Sequence, residues 1–267
     1  MTAESPTIDL RGLVPAALGA AGLATGGVML FVVLYAARGP GFVERLPGNV
    51  GEVMMEEAIR FDRAGLVEDA RTIYEAALRS RFQGPHNRVY TAKRLGTLLW
   101  GQGELDQAVV YLQQAATSPY APVSVHEPLC DTLIRLGRNG EAEAAIQGWR
   151  NALPPEPDPA VLSAIQYHLG RLALGQGDPT AAETHFREGN VLVPGGRNAS
   201  ELGDLFFVAH RYEDAVAFYD LYLRRGASGD RARRARHNRT AALLQLGRGG
   251  EAGHQEQNGP GSEPPGP

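Results

Sequence analysis

The stretch Leu95-Gly96-Thr97-Leu98-Leu99-Trp100-Gly101-Gln102-Gly103-Glu104-Leu105-Asp106-Gln107-Ala108 constrains this chain most, because the chain repeats it. It recurs as Leu169-Gly170-Arg171, Gly175-Gln176-Gly177-Asp178 and Ala182, and again as Leu202-Gly203, His210 and Ala215. Looser copies run through Leu136-Gly137-Arg138-Asn139-Gly140 to Ala145, and through Ala64-Gly65 to Ala70. Each copy reads as an apolar helix, a glycine turn and a second helix opening on alanine. One such hairpin cannot bury its apolar face alone, so successive copies must stack.

Aligned on that alanine, five units start near residues 51, 89, 126, 163 and 196. Position 20 then holds Ala70, Ala108, Ala145, Ala182 and Ala215, where two helices cross too closely for a larger side chain. Position 8 faces the crossing with Ala58, Gly96, Leu133, Gly170 and Gly203, Leu133 being the one large residue. Position 24 holds Tyr74, Leu112, Trp149, Phe186 and Tyr219, bulky groups that fill the splayed end of the hairpin. Gly103, Gly140 and Gly177 mark the ends of first helices, and Pro119 and Pro194 follow second helices that they cannot continue.

Small residues at these places resemble the tetratricopeptide repeat, whose unit is about 34 residues long. The resemblance covers residues 51–230 and implies an all-α fold, an α-solenoid of helix-turn-helix repeats. Longer intervals place extra residues in the loops around Gln83-Gly84-Pro85, Ser118 to Pro122 and Pro154 to Pro159. Residues 231–247 read as a capping helix with Ala235, Thr240, Leu243, Leu244 and Leu246 inward and Arg233, Arg234, Arg236 and Arg239 outward. Residues 248–267 have no apolar periodicity and read as a disordered tail.

Residues 1–12 form an N-terminal flank to a charge-free segment, residues 13–36, followed by Ala37 and a Gly- and Pro-rich linker over 38–50. At ~1.5 Å per residue the segment is long enough to cross a hydrocarbon core of ~30 Å as one transmembrane helix. The expectation is a single-pass protein of a bacterial inner membrane. A cleaved signal peptide, leaving a secreted soluble repeat protein, is the alternative. Arg38 and Arg45 against Arg11 favour a cytoplasmic repeat domain; the common bacterial arrangement, with the N-terminus inside, favours the opposite. Gly22 and Gly26 are spaced for close approach of two helices, which allows a homo-oligomer.

The chemistry of an enzyme is missing from the sequence. The seven histidines form no HExxH pair, and the one cysteine, Cys130, has no signature of a nucleophile. Gly101-Gln102-Gly103 lacks the Lys-Ser/Thr of a phosphate loop. No catalytic residue, metal or cofactor is expected, and a net charge of −4 gives no reason to expect nucleic acid.

Binding is the expectation instead. The resemblance implies a groove lined by positions 2, 5, 9 and 12 of the first helices, which receives a protein or peptide. Carried over, these positions are Tyr90, Lys93, Thr97 and Trp100 in the second unit, and Ala164, Tyr167, Arg171 and Leu174 in the fourth. Aromatic and basic groups together suit a peptide with acidic residues. Chaperone-binding members hold a carboxylate with paired lysines and asparagines; here Thr97 stands where asparagine is expected beside Lys93. The layout is similar to membrane-anchored bacterial assembly factors. A second candidate surface is the cluster Arg231, Arg233, Arg234, Arg236 and Arg239, which could touch anionic lipid or an acidic partner.

Overall fold

The computed structural model describes residues 50–248; the expected anchor, linker and most of the tail lie outside them. Among the described residues there are eleven α-helices, one 3₁₀ turn and no strand. In order they are α1 (Val50–Arg63), α2 (Val67–Arg79), α3 (Pro85–Gln102), α4 (Leu105–Ala116), α5 (His126–Arg135), α6 (Asn139–Asn151), α7 (Pro159–Gly175), α8 (Pro179–Leu192), α9 (Arg197–Val208), α10 (Tyr212–Leu223) and α11 (Gly229–Gln245). None of them is long and apolar enough to cross a membrane.

The helices fall into two compact units, whose boundary lies within α4. The first comprises α1, α2, α3 and residues 110–122; the second comprises residues 104–109 and everything from 123 onward. Within the first, α1 pairs with α2, and α3 packs on both. Within the second, α5 pairs with α6, α7 with α8 and α9 with α10, and α11 packs on α9 and α10. The first helices α5, α7, α9 and α11 also touch in succession, so their outer sides make one continuous face.

The small residues sit where they are needed. A Cβ at Gly96 would lie 2.7 Å from Leu112, and one at Gly170 or Gly203 would run into the ring of Phe186 or Tyr219. The alanine of each crossing is fully buried at Ala70, Ala108, Ala182 and Ala215. Each is the fourth residue of its helix and stands five residues after a left-handed turn residue. Those turn residues are Gly65, Gly103, Gly177 and, unusually, His210.

The third hairpin corrects the register read from sequence. Its left-handed residue is Gly137, and Gly140 lies inside α6. The fourth residue of α6 is Ala142, fully buried, whereas Ala145 is only half-buried. The unit therefore starts at 123, not 126. Cys130, fully buried, is the small residue at the crossing, and Leu133 is no exception to the pattern. Ile146 takes the place given to Trp149, which moves to position 27, where the other units hold alanine, glycine or tyrosine.

The closing helix also departs from expectation. It begins at Gly229 rather than 231 and ends at Gln245 rather than 247. Leu244 is 60% exposed, and Arg239 points inward, where it is buried against Asp220 at 2.5 Å. The Arg239 guanidinium can be buried because Asp220 on α10 neutralises it there.

Candidate functional site

In the first unit the four predicted residues lie along α3. Tyr90 is 38% exposed, and Lys93, Thr97 and Trp100 are half-buried. The Lys93 ammonium stands 5.7 Å from the centre of the Tyr90 ring, an arrangement that favours a cation. The Thr97 hydroxyl donates to the Lys93 carbonyl at 2.8 Å, so its proton is used within its own helix. Next to them Arg94 pairs with Asp62 and donates to the Tyr74 hydroxyl at 3.3 Å. Lys93 has no such carboxylate among the described residues. Burial and the Arg94 charge both push its ammonium below the usual lysine range.

In the second unit Tyr167 and Arg171 do come together, but not as open groove residues. Tyr167 is only 3% exposed. The guanidiniums of Arg197, Arg231 and Arg171 lie 4.3, 5.2 and 5.8 Å from its ring centre. Arg231 donates to the Tyr167 hydroxyl at 2.8 Å. Each arginine is also paired: Arg171 with Asp131 at 2.6 Å, Arg197 with Glu127 at 2.5 Å, and Arg231 with Glu201 at 2.6 Å. Beside them Arg234 meets Asp204 at 3.0 Å. Four arginines thus face four carboxylates, and the face that looked basic is nearly neutral. Burial works against the Arg171 charge, yet Tyr167, Asp131 and Glu201 outweigh it and hold the guanidinium above its ordinary range.

Beneath Tyr167 lies a column of rings. His168 packs edge-on to Tyr167 with ring centres 5.1 Å apart, Trp149 lies 5.9 Å from His168, and His126 stacks on Trp149 at 6.3 Å. Burial first, then Arg197, Arg171 and Arg231, pushes the His168 imidazole down to about 3. Cys130 nearby is fully buried, and burial, Glu127 and Asp131 push its thiol up to about 12. Among the described residues no cluster of His, Cys, Asp and Glu could hold a metal ion.

The C-terminal arginines divide by function. Arg231, Arg234 and Arg239 reach carboxylates on α9 and α10 and hold α11 in place. Arg233 pairs with Asp230 on its own helix, and Arg236 donates to the Ala227 carbonyl at 3.2 Å. Arg233 and Arg236 project outward, Arg234 stays 53% exposed though paired, and Arg231 and Arg239 are more covered, so the five do not form one basic surface.

Residues 55–122 and 167–231 match the family model described as tetratricopeptide repeat. The chain belongs to the tetratricopeptide repeat family. The unmatched stretch between them holds the third hairpin, the one with the displaced register. Similar solved structures include PilW, a widely conserved type IV pilus biogenesis factor (20% identity, 81% of this chain and 97% of that one, TM-score 0.62). PilF of Pseudomonas aeruginosa is similar at 18% identity over 79% and 93% of the two chains, TM-score 0.57. A tetratricopeptide repeat protein of Parabacteroides merdae gives 18%, 80% of each chain and 0.57. At such identities the likeness is one of fold. A comparison with curated protein sequences gave no match.

In tetratricopeptide numbering, Glu127 and Asp131 occupy positions 5 and 9 of the third unit once it starts at 123, the same positions as Tyr167 and Arg171 in the fourth. Arg197 stands at position 2 of the fifth. Sequence reasoning missed all three partners: the three-residue slip moved Asp131 to position 6, off the face, while Glu127 and Arg197 fell at groove position 2 of the third and fifth units, whose grooves were not read.

Proposed function

We propose that the chain is a membrane-anchored protein-interaction scaffold that takes an acidic segment of a partner protein on the first-helix face of its first unit. Lys93 carries this reading. It is half-buried on an aromatic residue and meets no carboxylate of its own among the described residues, so an anion from outside would complete it. Tyr90 and Trp100 flank it on the same helix with ring surface for the partner's stem. The family's members are in general non-enzymatic scaffolds, and no catalytic constellation stands among the described residues. The apolar segment 13–36 would fix the scaffold at a membrane and raise its local concentration near a partner there. Likeness in fold to pilus biogenesis factors fits a role in assembly or recruitment at a bacterial envelope.

The test is binding of a fluorescent hexaglutamate peptide to the full chain, followed by anisotropy. Lys93→Glu should weaken binding at least tenfold, and Lys93→Arg should retain it, with helical content unchanged by circular dichroism. Undiminished binding by Lys93→Glu removes the reading. Arg171→Glu is not an equivalent test, because it would set a new carboxylate against Asp131 inside a paired network.

A further inference from the structure

The three ion pairs around Tyr167 are not alike. Asp131 and Glu201 are largely covered, with side chains 15% and 13% exposed, whereas Glu127 is 46% exposed. Arg231 has a second partner in the Tyr167 hydroxyl. Arg197 stacks closest on the ring, yet Glu127 is its one hydrogen-bond partner among the described residues, met through a single nitrogen. A guanidinium carries five N–H donors, so most of this one's fork is unused. Glu127 lies on α5 and Arg197 on α9, with α7 between them, so their pair skips a hairpin. Contacts in a solenoid run between neighbouring repeats, and packing does not require a bridge of this kind.

We propose that Arg197, held over the Tyr167 ring, captures a carboxylate of an acidic partner segment, and that Glu127 is an internal stand-in which the incoming carboxylate displaces. This rests on the reading that first-helix faces receive an acidic protein segment, and it adds a second point of capture with its own competitor. The exchange is like for like. One exposed carboxylate returns to water as another leaves it, and exposed pairs of this type hold weakly. An incoming carboxylate free of a helix can meet the guanidinium with both oxygens, which Glu127 does not. Arg171 and Arg231, fixed by their covered carboxylates, form the walls beside it. Burial first, then Arg197, Arg171 and Arg231, lowers the His168 imidazole beneath the ring, so no second cation stands there to compete for the incoming carboxylate.

Binding of fluorescent hexaglutamate to the full chain at low salt tests this. Glu127→Gln keeps the side-chain shape and removes the competing charge, so it should tighten binding about 1.5- to five-fold, the range an exposed pair is worth. Arg197→Gln should weaken it about tenfold, and the double variant should match Arg197→Gln. Equal or weaker binding by Glu127→Gln overturns the proposal, and that single variant decides the matter even where Arg197→Gln fails to fold. If Lys93→Glu weakens binding while Glu127→Gln changes nothing, only the Arg197 site falls. If the Arg197 and Glu127 variants behave as expected while Lys93→Glu binds normally, the partner sits on the second unit's face and the Lys93 reading falls. No binding by any chain removes both.

Discussion

Gly170 has no side chain because Phe186 fills the space where one would go. Glycine inside a helix ordinarily costs about 1 kcal/mol against alanine. At Gly170 the sign should reverse, because a methyl group collides with a fully buried ring that has nowhere to move. Overpacking of this kind costs about 1–3 kcal/mol. With the helix gain of about 1 kcal/mol subtracted, Gly170→Ala is expected to destabilise by up to about 2 kcal/mol in urea unfolding. Gly148, inside α6, is the control: a Cβ there meets nothing within 4 Å, so Gly148→Ala should stabilise by up to about 1 kcal/mol. Equal effects at both sites would mean that the crossing is looser than it looks. The same reasoning explains where the sequence misled. Cys130 was read for chemistry and found wanting, although its size was the useful property. An alanine-rich α6 offers Ala142, Ala144 and Ala145 to any alignment, and only the positive φ of Gly137 selects the first of them. Five residues from that turn to the buried alanine is a firmer rule than the alanine alone.

At the scale of the helix, α7 owes its importance to what lies on its two sides. One presents Tyr167 and Arg171 to the charged face; the other sets His168 against Trp149 of α6, which stacks on His126 of α5. Trp149 is in this column because the third unit has tryptophan at a position that other units keep smaller. Neither ring nitrogen of His168 has a hydrogen-bond partner among the described residues, so protonation there gains nothing to offset the loss of water. Its imidazole sits at about 3, while in the unfolded chain it titrates near 6.5. Between these values the unfolded chain binds a proton that the folded chain refuses, so stability is highest above pH 6.5 and falls as the pH drops. The slope is about 1.4 kcal/mol per pH unit, which gives about 2 kcal/mol between pH 7 and 5. His126, lowered by burial, adds in the same direction. A Trp100→Phe chain leaves Trp149 as the fluorophore, and its urea midpoint should fall on acidification. Adding His168→Phe should remove about 2 kcal/mol of that loss. An unchanged loss would mean that His168 takes up its proton while folded.

Across the whole molecule, local periodicity exposed the hairpins, since each is one helix-turn-helix written in consecutive residues. The charged face was hidden, because Glu127 and Arg197 are 70 residues apart in sequence and nothing local links them. Composition hid it further: with arginine in such excess over lysine, any face shows guanidiniums, and only geometry reveals which are already neutralised. The lone lysine escapes that ambiguity. In the proposed reading, the charge-free stretch 13–36 would tie these faces to a membrane. At ~1.5 Å per residue its length exceeds a ~30 Å hydrocarbon core, and its apolar run is longer than a signal peptide needs. The residues near a signal-peptidase cut are also wrong: in Leu34-Tyr35-Ala36-Ala37 a cut after either alanine puts Leu34 or Tyr35 at the −3 position. The proposed anchor therefore predicts that the full chain sediments with membranes, resists carbonate extraction and keeps its own N-terminus by mass. Removing residues 13–36 should release it with the hairpin domain still folded, because the described cores are built from residues of the hairpins themselves. A mature protein found in the soluble fraction with a new N-terminus after residue 36 would sink the anchor and leave a secreted scaffold. If the anchor holds, protease added to intact spheroplasts fixes the side: digestion places the lysine face among envelope partners, and protection until lysis places it in the cytoplasm, where it would draw soluble partners to the inner membrane.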